Sequence, residues 1–265
     1  MAERLTGIEA ITFDFGNTLV PVDRAGLRRV VESTARQVAA RLGPFDAAEF
    51  LRVWTEERER QFREEVPHFR EVDLAVRFAR ILARLRGMTT PGPGETWDQV
   101  AAATYSTAQE LDWAVDVYSA AFIAELPAPD GIGPLLARLA SRHRLGILSN
   151  WPLAATIDRY VATKGWDHHF RAIVVSQRVG TIKPHPAIFA AALEALGAPQ
   201  PDAVLHVGDD WAADIVGAKK AGWRAAYLAR GPVDSPLPSS DRDGRAIPDL
   251  EITKLEELEP ALSPS

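Results

Sequence analysis

The second half of the chain alternates short apolar runs with longer amphipathic segments, and this alternation restricts the possible folds strongly. The apolar runs, each of which predicts a β-strand, are residues 145–148, 172–175, 204–207 and 225–228. The segments that predict helices are residues 135–139, 153–163, 187–196 and 214–221. Because strands that alternate with helices form βαβ units, we expect a parallel sheet with helices on its faces.

The first half of the chain adds one strand and then changes to helical periodicity. Residues 8–14 predict a strand, whereas from about residue 24 to 125 apolar side chains recur every three or four positions. This pattern predicts an inserted bundle of four or five helices. We therefore expect an α/β fold, a doubly wound parallel-sheet core (residues 1–20 plus 127–265) with an inserted α-helical cap (residues 21–126).

The end of the core is expected to be less regular. Residues 231–248 are rich in Pro, Ser, Asp and Gly, which predicts a mobile loop. A short strand near residues 250–252 and a terminal helix are expected to follow it.

Composition excludes several kinds of function. The 265-residue chain has no cysteine, which excludes thiol catalysis, disulfides and cysteine-based zinc or iron–sulfur sites. Its net charge is −6 without a basic stripe, which argues against a nucleic-acid partner. No run reaches the roughly 18 apolar residues of a membrane span, and no secretory signal is recognisable. We expect a cytoplasmic protein without a membrane partner.

Polar side chains follow the predicted strands of the core. Asp14 ends the first strand, Ser149-Asn150 follow the second, and Gly208-Asp209-Asp210 follow the strand at 204–207. Lys183-Pro184 lies beyond the strand at 172–175. Since ligands bind at the carboxyl ends of strands in open α/β sheets, these segments are expected to form one site. A carboxylate there can be a nucleophile, a metal ligand or both.

The order of these segments, with "ILSN", "VGTIKPHPAIF" and "HVGDDWAADIVGAKKAG" in succession, resembles the haloacid-dehalogenase-like (HAD) superfamily of hydrolases. The resemblance covers nearly the whole chain, including a helical cap inserted after the first motif. It implies a phosphatase of a small phosphorylated metabolite, in which Asp14 attacks phosphorus and forms an aspartyl-phosphate. It also implies that Mg²⁺ is held by Asp14, the backbone carbonyl of Gly16 and Asp209.

The resemblance assigns the remaining site residues to the phosphoryl group. Ser149 and the backbone N–H of Asn150 would donate hydrogen bonds to its oxygens, and Thr18 would cap the turn or touch the phosphate. Lys183 would supply positive charge to Asp14 and the phosphate. Asp214 would orient the loop through Lys183 or a metal-bound water.

One position departs from the family pattern. Phosphatases of the family usually carry a second Asp two residues after the nucleophile, where it protonates the leaving group, but this chain has Gly16. A positioned general acid contributes roughly 10²–10⁴-fold in rate. We therefore expect a substrate with a good leaving group, unless Asp210 or Asp23 substitutes as the acid. Replacing Gly16 by Asp is expected to raise alkyl phosphate hydrolysis.

Two other functions stay open on the sequence alone. The dehalogenases of this family also lack the second acid, so Asp14 could attack carbon and displace halide without a metal. Arg24, Arg28 and Arg29 would then be the candidates to hold a substrate carboxylate. The acids at and after residue 209 favour the metal-dependent phosphatase over this alternative. The third possibility is a non-catalytic binding module on the same fold.

Other polar and aromatic residues have simpler explanations. The pair His168-His169 lacks acids at metal-ligand spacing and is expected in a loop, and His206 is expected in the core. Trp151 is as well placed to contact a substrate as to pack, and Asp210 either lies near the metal or caps the next helix. The identity of the substrate and the oligomeric state are left open by the sequence.

Overall fold

The chain forms two compact units in the computed structural model, which describes residues 5–92, 94–230 and 234–262. The α/β unit comprises the described residues of Met1–Arg24, Phe69–Glu71 and Leu126–Ser265, and the helical unit comprises those of Ala25–His68 and Val72–Glu125. The domain boundaries expected from the sequence stay a prediction, and these units depart from them at residues 21–24, 69–71 and 126.

The helical unit is built from amphipathic helices. In the described residues they are α1 (Arg24–Leu42, whose first residue belongs to the α/β unit), α2 (Ala47–Glu65), α3 (Leu74–Leu85), α4 (Gln99–Ala103) and α5 (Ala108–Glu125). Asp46, Asp73 and Asp98 begin three of them, and each side chain accepts a hydrogen bond from a backbone N–H of the first turn. These helices agree with the four or five expected from the sequence, and their role as a cap stays a prediction.

The α/β unit contains a six-stranded sheet in the order β3-β2-β1-β4-β5-β6, with every neighbouring pair parallel. The strands are β1 (Ala10–Phe13), β2 (Arg144–Ser149), β3 (Phe170–Val175), β4 (Val204–Gly208), β5 (Arg224–Leu228) and β6 (Leu250–Ile252). All residues of β1 and β4 are buried, as expected for central strands of a parallel sheet covered on both faces. The doubly wound sheet expected from the sequence is confirmed.

Helices connect the first five strands of this sheet along the chain. In the described residues they are α6 (Ile132–Ala140), α7 (Ala154–Thr163), α8 (Ser176–Val179), α9 (Pro186–Ala195) and α10 (Gly217–Lys220), and a further short helix, α11 (Leu258–Ala261), follows β6. Within the residues that the structure describes, no helix combines the length and apolar character needed to cross a membrane.

The segment after β4 differs from the sequence prediction. A regular helix over 214–221 was expected, but Trp211–Val216 form a π-helix and only Gly217–Lys220 are α-helical. Asp210 begins the π-helix, and its side chain accepts a hydrogen bond from the Ala213 N–H at 2.6 Å. The wider turn is typical of functional sites, and here it carries Asp214.

The long connection between β5 and β6 contains neither helix nor strand in its described residues. Residues 231–233 of the loop expected there lie outside the described residues. The remainder of this connection packs against the carboxyl ends of the strands, as its contacts with the site show below.

Candidate active site

The strand order brings the predicted site residues to one edge of the sheet. The chain order reverses between β1 and β4, which leaves a crevice at their carboxyl ends. Asp14 directly follows β1, and its N–H donates to the Val207 carbonyl of β4 at 2.9 Å. This bond extends the ladder by one residue and sets Asp14 beside the loop that carries Asp209.

Lys183 is the buried cation at the centre of this edge. Its Nζ donates to Asp14 Oδ1 at 2.8 Å, to Asp214 Oδ1 at 2.6 Å and to the Leu148 carbonyl at 2.8 Å. An ammonium group has three N–H donors, so all of them are used. Lys183 therefore orients both carboxylates, and a direct bond from it to a phosphoryl oxygen requires exchange of one of these partners.

Asn150 holds the backbone of Lys183 in place. Its side-chain Oδ1 accepts from the Lys183 N–H at 2.7 Å, and its Nδ2 donates to the Lys183 carbonyl at 3.1 Å. The Lys183-Pro184 peptide bond that follows is cis. The sequence suggested a role only for the backbone N–H of Asn150. The structure shows in addition that the side-chain amide of Asn150 bonds both the N–H and the carbonyl of Lys183.

Two hydroxyl groups stand beside the carboxylates. Thr18 Oγ1 donates to Asp209 Oδ1 at 3.1 Å. Ser149 is fully buried, and its Oγ forms no hydrogen bond with any described atom, although its nearness helps to lower the pKa of Asp14. Because a buried hydroxyl without a partner is costly, Ser149 Oγ indicates the place of an oxygen-bearing ligand.

Asp14, Asp209 and Asp214 form a compact acidic cluster. Each offers a carboxylate oxygen, and the three oxygens lie within 4.8 Å of one another. Burial raises the pKa of Asp14 to about 6, against the opposing charge of Lys183. Burial and the charges of Asp14 and Asp214 raise the pKa of Asp209 to about 8. Burial also acts to raise the pKa of Asp214, but Lys183 and a neighbouring histidine lower it below its usual range.

This charge distribution fits a divalent cation. The single ammonium group of Lys183 leaves a net negative charge among the three acids, and the raised pKa values show how costly that charge is without a further cation. All donors in the cluster are oxygen atoms, which are the ligands that Mg²⁺ prefers.

His206 is a site residue that the sequence did not identify. It is buried as expected, but its Nε2 lies 3.0 Å from Asp214 Oδ1 and its Nδ1 lies 2.8 Å from Thr12 Oγ1. Burial lowers the pKa of His206, so we assign a neutral imidazole that donates through Nε2 and accepts through Nδ1. Thr12 and His206 are register partners in β1 and β4, which was the signal available for finding the pair.

Asp214 is further held by the backbone that precedes it. Its Oδ2 accepts from the Asp210 N–H at 2.9 Å. A Cβ atom at position 208 would overlap the Asp214 carboxyl group, so Gly208 is required for this close approach. Asp210 Oδ1 accepts from Ser240 Oγ at 2.9 Å and from the next helical turn, which identifies Asp210 as the helix cap.

The space around Gly16 is filled by apolar side chains. A Cβ atom at this position would lie 2.6 Å from Leu237 Cδ1 and 3.2 Å from Trp151 Cζ3, which are the nearest atoms. Trp151 is itself buried and packs edge-on against Phe15. Phosphatases of the family that this sequence resembles usually carry an acid at this position. In this chain the space next to Gly16 is occupied by Leu237 of the β5–β6 connection.

Hydrogen bonds attach the β5–β6 connection to the site loops. Ser235 Oγ accepts from Asn17 Nδ2 at 2.9 Å and donates to the Val22 carbonyl at 2.8 Å. Ser240 Oγ accepts from the Ala212 N–H at 2.6 Å. These contacts position Leu237 between the loop after β1 and the loop after β4.

The three arginines that could hold a substrate carboxylate are engaged elsewhere. Arg24 pairs with Asp234 within the α/β unit at 2.9 Å. In the helical unit, Arg28 pairs with Glu32 at 2.8 Å and Arg29 with Glu125 at 2.7 Å.

Comparison with known proteins places this geometry in a family. The model of the haloacid dehalogenase-like hydrolase family matches residues 8–222. Glyceraldehyde 3-phosphate phosphatase from Methanopyrus kandleri is 32% identical over 132 residues, which cover 50% of this chain and 54% of that protein. Phosphoserine phosphatase from Thermus thermophilus is 37% identical over 94 residues, covering 36% of this chain and 34% of that protein. The chain thus spans about half or less of the length of these relatives.

Among solved structures, a 2-haloacid dehalogenase from Pseudomonas syringae pv. Tomato DC3000 is similar over 96% of this chain and 97% of that one. The TM-score is 0.65 and the sequence identity is 23%, so this likeness concerns the fold alone.

Proposed function

This chain belongs to the haloacid dehalogenase-like hydrolase family, and from that premise we propose that it is an Mg²⁺-dependent phosphatase of a small phosphorylated metabolite. One observation carries the proposal: a buried Lys183 orients Asp14 beside two further acids and beside the unbonded hydroxyl of Ser149. The relatives named as phosphatases support a phosphorylated substrate. Membership of a hydrolase family argues against the non-catalytic module.

The chemistry begins with Asp14. Lys183 binds Oδ1, so Oδ2 is the oxygen that attacks phosphorus, and with a pKa of about 6 the group is mostly ionised at neutral pH. The Oδ2–P bond forms while the bond from phosphorus to the leaving oxygen breaks, which gives an aspartyl-phosphate. Attack by water then breaks the bond to Oδ2, releases phosphate and restores Asp14.

The neighbouring residues bind and orient the phosphoryl group. The Ser149 hydroxyl has a free donor for a phosphoryl oxygen, and we propose that the backbone N–H of Asn150 supplies a second. Asp14, Asp209 and the carbonyl of Gly16 are the proposed ligands of Mg²⁺. When bound, the ion neutralises the repulsion between carboxylate and phosphate. Thr18 and Asp214 hold Asp209 and Lys183 in position.

The surroundings of Gly16 predict the kind of leaving group. Leu237 and Trp151 occupy the space in which a proton donor would stand, and Asp210 is engaged as a helix cap. We therefore propose that the substrate releases an oxygen that is stable without protonation, as acyl and aryl phosphates do.

The primary experiment measures turnover of p-nitrophenyl phosphate with Mg²⁺ and with EDTA. We expect Mg²⁺-dependent turnover by the unmodified protein and a loss of at least about 10³-fold in Asp14→Asn, because the nucleophile is removed. The exposed Asp202→Asn is the matched control and should keep full activity. Turnover that persists unchanged in EDTA would contradict the metal role.

A dehalogenase is the second candidate, because the apolar wall at Gly16 suits a halide, which leaves without a proton. The pairing of Arg24, Arg28 and Arg29 with acids counts against it. Chloride release from 2-chloropropionate in EDTA tests this reading. Chloride release without phosphatase activity would replace the phosphatase proposal by the dehalogenase.

A further inference from the structure

A second concave site lies at the opposite edge of the sheet from Asp14. It is an open cavity of about 650 Å³ at the amino ends of β1, β2 and β3, within the α/β unit. Roughly 300–1,000 Å³ is the usual volume of a small-molecule site. The cavity is large enough for a ligand of several phosphate groups, and no residue of the proposed active site lines it.

The lining of this cavity is strongly basic. Arg142, Arg144 and Arg171 contribute to its wall, whereas Glu9 is the only acid among the described residues that line it. The excess of positive charge is notable because the chain as a whole has a net charge of −6. Such a local concentration of positive charge attracts anions.

These arginines also lack acidic partners. Among the described residues, none of the three forms an ion pair, although Arg144 donates from Nη1 to the Leu196 carbonyl at 3.3 Å. Elsewhere on the α/β unit, Arg138 pairs with Glu259 and Arg178 with Asp158. The guanidinium groups of the cavity thus keep donors for a ligand.

Histidines complete the wall. The sequence predicted His168-His169 as loop residues, and both lie in a short 3₁₀ turn. Their imidazole rings are 4.0 Å apart, and both residues line the cavity. His143 is buried in the same wall, and its Nδ1 lies 2.9 Å from the Ile8 carbonyl. Imidazole N–H groups add donors of the kind that bind anionic oxygens.

We propose that this cavity binds an oligophosphate group through Arg142, Arg144 and Arg171. A planar guanidinium donates two parallel hydrogen bonds to a phosphate, and three of them match an anion with several phosphates better than a single monophosphate. The ligand is either an inorganic oligophosphate or a nucleoside di- or triphosphate, which share this chemistry. This site is independent of the phosphatase proposal, because it shares no residue with the active site.

The test is calorimetric titration of the full chain with tripolyphosphate and, separately, with ATP in metal-free buffer. We expect Arg142→Ser/Arg171→Ser to weaken binding by at least about 10-fold, since the double variant removes two of the three guanidinium groups that donate charged hydrogen bonds to the anion. Arg36→Ser is the control, an exposed arginine of the helical unit, and it should change affinity by less than about twofold. Tighter binding of ATP than of tripolyphosphate identifies the nucleotide as the ligand class, and equal binding identifies the oligophosphate alone.

Three results would overturn the proposal: neither anion binds, the double variant binds as the unmodified protein does, or Arg36→Ser weakens binding equally. The second result would place the anion elsewhere on the chain, and the third would show only general charge attraction. The double variant should fold normally because both side chains are exposed, and thermal unfolding by circular dichroism verifies this. Turnover of p-nitrophenyl phosphate should be unchanged in it.

Discussion

In our proposal, Lys183 determines how Asp14 is presented to a substrate. Burial acts to lower the pKa of Lys183, but Asp14 and Asp214 raise it above its usual range, so the group stays charged. With its three donors engaged, it is a fixed charge and not a proton donor. Neither Lys183 nor Gly16 can therefore protonate a leaving group. Under our proposal, the substrate must release an oxygen that is stable without a proton.

The packing at Gly16 changes what a restored acid should do. We expect Gly16→Asp alone to give only part of the possible gain in alkyl phosphate hydrolysis, because the Leu237 side chain, whose Cδ1 would lie 2.6 Å from the new Cβ, has to move aside first. Gly16→Asp/Leu237→Ala removes that obstacle and should raise kcat/KM for β-glycerophosphate by at least about 10-fold. This gain is smaller than the roughly 10²–10⁴-fold that a well-positioned general acid contributes to the rate. Steady-state kinetics with β-glycerophosphate and p-nitrophenyl phosphate measures this effect. The kcat/KM for p-nitrophenyl phosphate should rise little, because its leaving group does not need a proton.

Leu237→Ala alone is the control for that experiment. It should leave the ratio of aryl to alkyl activity unchanged, since it adds no acid. If Gly16→Asp alone gives the full gain, then Leu237 does not block the position and our account of this space is wrong.

Side chains of the two central strands, β1 and β4, support the edge of the sheet at which Asp14 and Lys183 lie. Thr12 of β1 and His206 of β4 are register partners, and their bond continues through Asp214 to Lys183. A chain of polar groups thus runs from inside the sheet to its edge. In our proposal, these contacts fix the carboxylate of Asp214 and thereby the ammonium group that orients Asp14.

Replacing His206 tests this chain of contacts. In His206→Leu we expect kcat for p-nitrophenyl phosphate to fall by about 10-fold with KM nearly unchanged, because residues that orient active-site groups typically contribute 10–100-fold. His206→Gln keeps an N–H near the position of Nε2 and should recover most of the activity. If both variants lose activity to the same extent, His206 serves only packing.

The sequence alone predicts the strands, because their apolar runs are bounded by turns, and it predicts the site edge, because polar residues follow the strands directly. It could not show the contact of Gly16 with Leu237, since Leu237 lies far along the chain in a loop without periodicity. His206 was expected only as a core residue because its neighbours in β4 are apolar, and its role depends on strand register. The π-helix at Trp211–Val216 likewise occurs together with a hydrogen bond from the Asp210 N–H back to the Asp214 side chain, which no sequence periodicity shows.

At the scale of the whole molecule, burial of the acidic cluster of Asp14, Asp209 and Asp214 lowers the stability of the folded state. Asp14 and Asp209 have raised pKa values mainly because burial removes water from their carboxylates. The compact structure is therefore expected to depend on protons or cations at this edge. The stability of the whole chain thus reports on the site even when no substrate is present.

The metal-free protein should become less stable between about pH 7 and about pH 8.5. In this range Asp209, with a folded-state pKa of about 8, releases a proton that the unfolded chain has already lost. The folded state binds more protons there, so the free energy of unfolding falls as pH rises, by about 1 kcal/mol. Urea unfolding in EDTA at the two pH values measures the change, and Asp209→Asn should abolish most of it. Mg²⁺ should stabilise the unmodified protein more at the higher pH, because the ion binds ionised carboxylates. An equal fall in stability for both proteins would assign the titration to another group.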